Sequence, residues 1–253
     1  MIMPNEKVLI GNATRREFMR GSLIIISILI LILGFANAAK ITVGPTDANY
    51  SVIQQAADNA STGDLIEVQS GTYHENVYLF HAVTLQGVNT GNGTPVVNAG
   101  GSSSAITVIS NGTTVSGFNL TNSGHCGCGN AGVLVESNNN TIKNNIILKN
   151  KYGIYVRPGK TNNTFLSNDF VNNQITVNDT SLNHWSEGEK SGGLQGLFGL
   201  ITGSKVYGNH YSDYDEPSQG CNDTDKDGFC DAPRKIGDGP NFDKYPSISP
   251  LNI

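Results

Sequence analysis

The chain has 253 residues, enough for one large domain or one domain with a small annex. Only 15% of residues are charged and the formal net charge is −5, so nucleic acid is not an expected partner. With 30 glycines and abundant Asn and Thr, the composition argues against a disordered chain or a helical enzyme and favours short strands joined by tight turns.

The first 38 residues have the form of an export signal. Thr14–Arg20, TRREFMR, precedes an apolar run from Leu23 to Phe35 and the small-x-small triplet Ala36-Asn37-Ala38. The paired arginines resemble a twin-arginine signal. The apolar run is short for a membrane span, which needs ~20 residues. Cleavage after Ala38 is therefore expected; the alternative is an uncleaved anchor, the only membrane contact foreseen. Beyond the signal, 12 Lys and Arg face 19 Asp and Glu. All three methionines lie within it, so none remains as a soft metal ligand. The expected location is periplasmic, cell-surface or extracellular.

Residues 39–185 form the repetitive body. Tyr50–Ala60 places Val52, Ile53, Ala56, Ala57 and Ala60 on one helical face, suited to capping an open end. Short alternating runs follow at Leu65–Val68, Asn76–Phe80, Val83–Gln86 and Ala105–Ile109, each closed by Gly, Asn or Ser. Ala131–Val135 (AGVLV) recurs 21 residues later as Tyr152–Val156 (YGIYV). Asn139–Ile146 (NNTIKNNI) recurs 23 residues later from Asn162 (NNTFLSNDF). A period just above 20 with several short strands per repeat is that of a solenoid. The fold class expected is all-β: a right-handed parallel β-helix with a short N-terminal capping helix and an irregular C-terminal segment. The asparagine runs read as ladders and turns between rungs. Nine N-x-S/T sequons follow the signal, some of them potential glycan acceptors on an exported chain.

The segment 51–77, SVIQQAADNASTGDLIEVQSGTYHENV, resembles the first coil of pectate-lyase-like β-helix proteins. The NNTIKNNI and GIYV rungs, with the tail GNHYSDYDEP, DTDKDGFCDAP and FDKYP, resemble NosD-like proteins, described as periplasmic copper-binding or carbohydrate-binding β-helix proteins. The resemblance spans roughly residues 47–248 and implies the fold more strongly than any chemistry.

Three functions follow from these residues. A polysaccharide hydrolase or lyase needs paired carboxylates, or a cation with a base. The rung acids Glu136, Asp169 and Asp179 stand apart in sequence, so no catalytic residue is assigned. Copper, suggested by the resemblance, needs soft or imidazole donors, and His125, Cys126 and Cys128 supply three within four residues. The preferred reading is non-catalytic binding of a glycan or cell-envelope component by a monomer, with Tyr152 and Tyr155 as stacking surfaces.

Residues 186–205 form a Gly-rich loop and apolar insertion, and 206–253 an acidic C-terminal segment. Asp223, Asp225 and Asp227, then Gly228, Phe229 and Asp231, have the spacing of a calcium loop, the Phe229 contribution being its carbonyl. Arg234 occupies the place where a calcium sensor has glutamate, and Pro233 precludes a following helix, so a structural calcium ion is expected. In an exported protein the four cysteines are expected to be oxidised. Cys221–Cys230 with Cys126–Cys128 is the local pairing; a crossed pairing or a free pair remains open.

Overall fold

The computed structural model describes residues 38–188 and 206–250, so the expected export signal and most of the 186–205 insertion lie outside the described residues. Within them the chain coils into a parallel β-solenoid with three sheets. The first contains β1 (Lys40–Val43), β2 (Leu65–Gln69), β5 (Thr84–Val88), β8 (Thr114–Ser116), β11 (Thr141–Lys143) and β14 (Thr164–Leu166). The second contains β3 (Thr72–Tyr73), β6 (Val96–Asn98), β9 (Asn119–Thr121), β12 (Ile146–Leu148), β15 (Asp169–Val171) and β17 (His210–Tyr211). The third contains β4 (Val77–Leu79), β7 (Ile106–Val108), β10 (Ala131–Val135), β13 (Tyr152–Val156) and β16 (Ile175–Asn178). A two-stranded antiparallel pair, β18 (Arg234–Lys235) and β19 (Phe242–Asp243), lies in the C-terminal segment.

The register reproduces the sequence repeats. Val133 faces Ile154 across β10 and β13, 21 residues apart, while Ile142 faces Phe165 and Ile147 faces Phe170, 23 apart. Such register stacks like on like, so that each sheet contributes a column of buried side chains, one rung above the next. The first sheet contributes Ile66, Leu85, Val115, Ile142 and Phe165, none exposed. The second contributes Val97, Leu120, Ile147, Phe170 and Tyr211. Both stacks end in aromatics, and the C-terminal mouth is filled accordingly. Trp185 stacks on Phe165 at 4.1 Å between centroids, and Phe170 stacks on Tyr211 at 5.2 Å. Their area removed from water supplies the apolar surface that a final rung would otherwise lack.

The N-terminal mouth is closed by α1 (Ile53–Asn59), shorter than the expected Tyr50–Ala60 span. Ile53, Ala56, Ala57 and Ala60 are buried, whereas Val52 is only half-buried. No side chain of its own cap residue binds the first turn. Instead Glu75 accepts from the backbone N–H of Ile53 and of Gln54, each at 2.9 Å, placing a carboxylate at the positive end of the helix.

Asparagine doublets make the corners, and their two members do different work. The first adopts a left-handed backbone, with φ of 59° at Asn139 and Asn162 and 54° at Asn144, a conformation Asn tolerates better than most residues. The second points inward and is buried at Asn140, Asn145 and Asn163; Asn168 is buried in the same way, but the left-handed residue before it is Ser167, with φ of 53°. Asn163 Oδ1 accepts from both the backbone N–H and the Nδ2 of Asn140, and Asn183 Oδ1 does the same for Asn163. A second ladder runs Asn145, Asn168, Asn209, and a third runs Asn150, Asn173.

The solenoid continues beyond Trp185, where the sequence repeat stops. Asn209 extends the second ladder and His210–Tyr211 pairs in parallel with Asp169–Phe170. Gly208 is required there, since a Cβ would meet the carbonyl of Tyr245.

Candidate functional site

Among the described residues, Asp223, Asp225 and Asp227 form a group of possible metal ligands, their nearest carboxylate oxygens all within 4.8 Å of one another. Lys226 and Gly228 take φ of 60° and 91°, curling the loop. Asp223 accepts from the backbone N–H of Asp227 and of Gly228, each at 3.1 Å. Partial desolvation pushes the Asp223 carboxyl up, but these N–H groups outweigh it and hold the carboxyl below its ordinary value. Three convergent hard oxygen donors on a curled loop fit a calcium ion. Asp231 is turned to Thr224 instead, accepting from its hydroxyl at 2.9 Å. The Phe229 N–H donates to Asp227 at 3.0 Å. Arg234 reaches away from the loop to Asp213 at 2.9 Å and lies over the Tyr211 ring at 4.4 Å.

The cysteines pair locally, Cys221 with Cys230 and Cys126 with Cys128, so the crossed pairing is not adopted. The Cys221–Cys230 bridge spans the acidic loop, which is tied to the tail by hydrogen bonds from Cys230 N–H to Pro246 O and from Ile248 N–H to Gly228 O. The Cys126–Cys128 bridge has a chemical consequence. Neither sulfur is a thiolate, so His125, Cys126 and Cys128 together offer one imidazole and do not fit a copper centre in this oxidised state. His125 Nδ1 lies 3.3 Å from Gln174 Nε2.

Tyr152 and Tyr155 meet edge-to-face at 5.1 Å between centroids, both half-buried. Arg157 lies over the Tyr155 ring at 5.5 Å and bonds Glu136 at 2.9 Å. Of the tail tyrosines, Tyr211 is core and Tyr207 is exposed.

Two rung acids that look isolated in sequence are knit into the C-terminal end. Asp169, on β15, bonds His210 Nδ1 at 2.5 Å, while Asp215 faces the other ring nitrogen at 3.2 Å. Asp179 accepts from Asn183, Asn241 and the Trp185 indole. Burial pushes its carboxyl up, against those hydrogen bonds. A third buried acid, Asp243, accepts from the Asn209 N–H, Asn209 Nδ2 and Tyr211 hydroxyl at 2.8, 3.1 and 3.0 Å, and from Tyr245 N–H at 3.0 Å. Burial raises it to about 6 even so. The Tyr211 hydroxyl is pushed well up by its own burial and by the neighbouring Asp243 charge. No local motif marks this cluster, because its members come together only when the tail returns to the last rung.

Residues 101–216 match the family model described as periplasmic copper-binding protein (NosD). The NosD-like span runs from before β7 to just beyond β17, so it contains the three ladders and the His125 loop. A cell surface glycoprotein of Methanothermus fervidus is 32% identical over 131 residues, covering 48% of this chain and 20% of that protein. The chain thus spans about a fifth of the length of that curated relative. Among solved structures, pectin methylesterase from Aspergillus niger aligns with TM-score 0.36 and 18% identity over 58% of this chain and 59% of that one. Pectin methylesterase from carrot aligns with TM-score 0.39 and 10% identity over 72% of each chain. Likeness at that level carries no residue correspondence. The two disulfides fit an exported protein. Among the described residues, no helix is long and apolar enough to cross a membrane.

Proposed function

We propose that the chain is an exported, non-catalytic β-solenoid that binds a glycan or another cell-envelope component, with a structural calcium ion in the 223–227 loop. The observation that carries this reading is the disposition of the carboxylates. Asp169, Asp179 and Asp243 are buried and committed to internal hydrogen bonds, and Glu136 is engaged by Arg157. That arrangement favours binding over general acid–base chemistry, which needs a carboxyl pair open to substrate. The half-buried Tyr152–Tyr155 pair, with a cation beside it, offers apolar ring surface on the solenoid wall. The matched family and relative, a periplasmic and a cell-surface protein, agree with export. The test is retention of purified protein on immobilised envelope polysaccharides. Retention that weakens in Tyr155→Ala supports the reading; no retention on any polysaccharide refutes it.

The family description also supports a second reading, an accessory role in copper handling. It requires Cys126 and Cys128 to be reduced. Copper held through dialysis only after reduction, and lost in a Cys126→Ser, Cys128→Ser variant, would favour it; the same copper content in both proteins would count against it.

A further inference from the structure

The three corners of the solenoid do not end alike. The Asn140–Asn163–Asn183 ladder ends on Asn241 and the Asp179 carboxylate. The Asn145–Asn168–Asn209 ladder ends on the Asp243 carboxylate. At the second corner one Asp243 oxygen receives both the backbone N–H and the side-chain amide of Asn209, whereas at the first Asn183 sends its N–H to Asn241 Oδ1 and its Nδ2 to Asp179. The Asn150–Asn173 ladder has no such terminus. Asn173 donates through Nδ2 to Ile147 O at 2.7 Å, but its backbone N–H meets no acceptor among the described residues, whereas those of Asn163 and Asn168 do.

A groove of about 460 Å³ opens at this third corner. Asn173 lines it, with Thr176, Asp213, Arg234 and Lys235. One wall is β16, the last strand of its sheet, whose outer edge pairs with no other strand among the described residues. Arg234 is held in place by the Tyr211 ring and by Asp213 Oδ2, which also accepts from the Thr176 hydroxyl at 2.9 Å. Asp213 Oδ1 accepts no hydrogen bond among the described residues. With Lys235 exposed beside Arg234, the lining carries two positive charges and one negative on a chain whose formal net charge is −5.

We propose that this groove binds an acidic sugar unit, its carboxylate beside Arg234 and Lys235 at the corner where no carboxylate of the chain terminates the ladder. The sugar hydroxyls would engage Asp213 Oδ1 and the backbone edge of β16. The volume lies in the range of small-ligand sites, ~300–1,000 Å³, and β16 is only four residues long. One or two rings fit better than an extended peptide, which gains affinity from a long exposed edge. The choice of a sugar rests on the glycan-binding reading above; the anionic character rests on the groove itself.

The experiment is calorimetric titration of the full chain with a glucuronate-terminated disaccharide and its glucose-terminated counterpart, repeated with Lys235→Glu. Lys235 is exposed, so the variant should keep the thermal midpoint of the parent. The inference expects the acidic disaccharide to bind at least ~10-fold more tightly than the neutral one, an advantage lost in Lys235→Glu and weakened by salt. Equal affinity for the two sugars, or acid preference untouched by the substitution, overturns the inference while leaving glycan binding intact. Binding of an acidic hexapeptide in place of the sugar, sensitive to Lys235→Glu, also overturns it. If neither disaccharide binds but envelope polysaccharides are retained, the groove assignment fails alone; if nothing is retained, both readings fail.

Discussion

Asp243 makes the stability of the C-terminal closure depend on pH in an unusual direction. It is fully buried, and burial raises its carboxyl from the ordinary value of 3.8 to about 6. A carboxyl raised on folding holds a proton that the unfolded chain has already released. The folded state therefore loses stability as pH climbs from about 4 to about 6, and the loss is complete above that window. The full change corresponds to ~3 kcal/mol at about 1.4 kcal/mol per pH unit. Asp64 and Asp223 are shifted downward and tilt stability the opposite way, so the total profile is not diagnostic. The difference between parent and Asp243→Asn is. The asparagine can still accept from Asn209 and Tyr211, but its amide group opposes the Tyr245 N–H, a fixed cost of ~1–3 kcal/mol. The variant should be clearly less stable than the parent at pH 4, and the gap should close by ~2.5 kcal/mol at pH 7. Urea unfolding between pH 4 and 7 measures this, with the buried Trp185, the sole tryptophan, as fluorescent reporter. A stability difference constant to within ~1 kcal/mol over that range would refute the reasoning.

Asn168→Ala should cost ~2–6 kcal/mol in urea unfolding, because Asn145 N–H and Ile142 C=O lose their partners in the core at ~1–3 kcal/mol each; a loss below ~1 would show the ladder to be decorative. Adding about 5 mM calcium should raise the thermal midpoint by a few degrees if the 223–227 loop binds at the ~10⁻⁴–10⁻³ M typical of extracellular modules, and Asp225→Asn should blunt the rise. Glu75→Ala should destabilise by ~1 kcal/mol, since the first turn of α1 has no cap of its own; Glu75→Gln, which keeps one acceptor, should lose less.

How much of this was legible in the sequence followed how local each feature is. The 21- and 23-residue spacings translate directly into register because a parallel rung repeats the same chain length around the coil. The doublets Asn139-Asn140 and Asn144-Asn145 could be read as ladder chemistry, although the split between a left-handed residue and an inward one needs the backbone. The return of the coil at Gly208–Tyr211 was hidden, since residues 186–205 interrupt the period and the strand that follows has only two residues. The same interruption concealed Asp169 and His210, 41 residues apart, which made Asp169 look solitary. In the acidic run, the spacing of Asp223, Asp225 and Asp227 survives as convergent oxygens. Asp231 and Arg234, equally conspicuous in sequence, are drawn away by Thr224 and by Asp213 with Tyr211.

The ladder ends explain why acids sit in the core of this solenoid at all. Each internal asparagine passes hydrogen bonds along, donating through N–H and Nδ2 to one neighbour and accepting at Oδ1 from the other. The last member needs a partner that only accepts, and an ionised carboxylate has no donor to leave unsatisfied. Asp179 and Asp243 fill that place at two corners, although burial works against their charge. Both arrive late in the chain, Asp243 on the returning tail that the Cys221–Cys230 loop fastens. The acidic loop therefore acts at a distance, holding the segment that terminates one ladder and presents Arg234 and Lys235 at the third. There the same demand for an acceptor stands beside two cations, while Asp213 is directed to Arg234 and Thr176 and not to the ladder, and on this geometry the third corner is where a ligand's own carboxylate belongs.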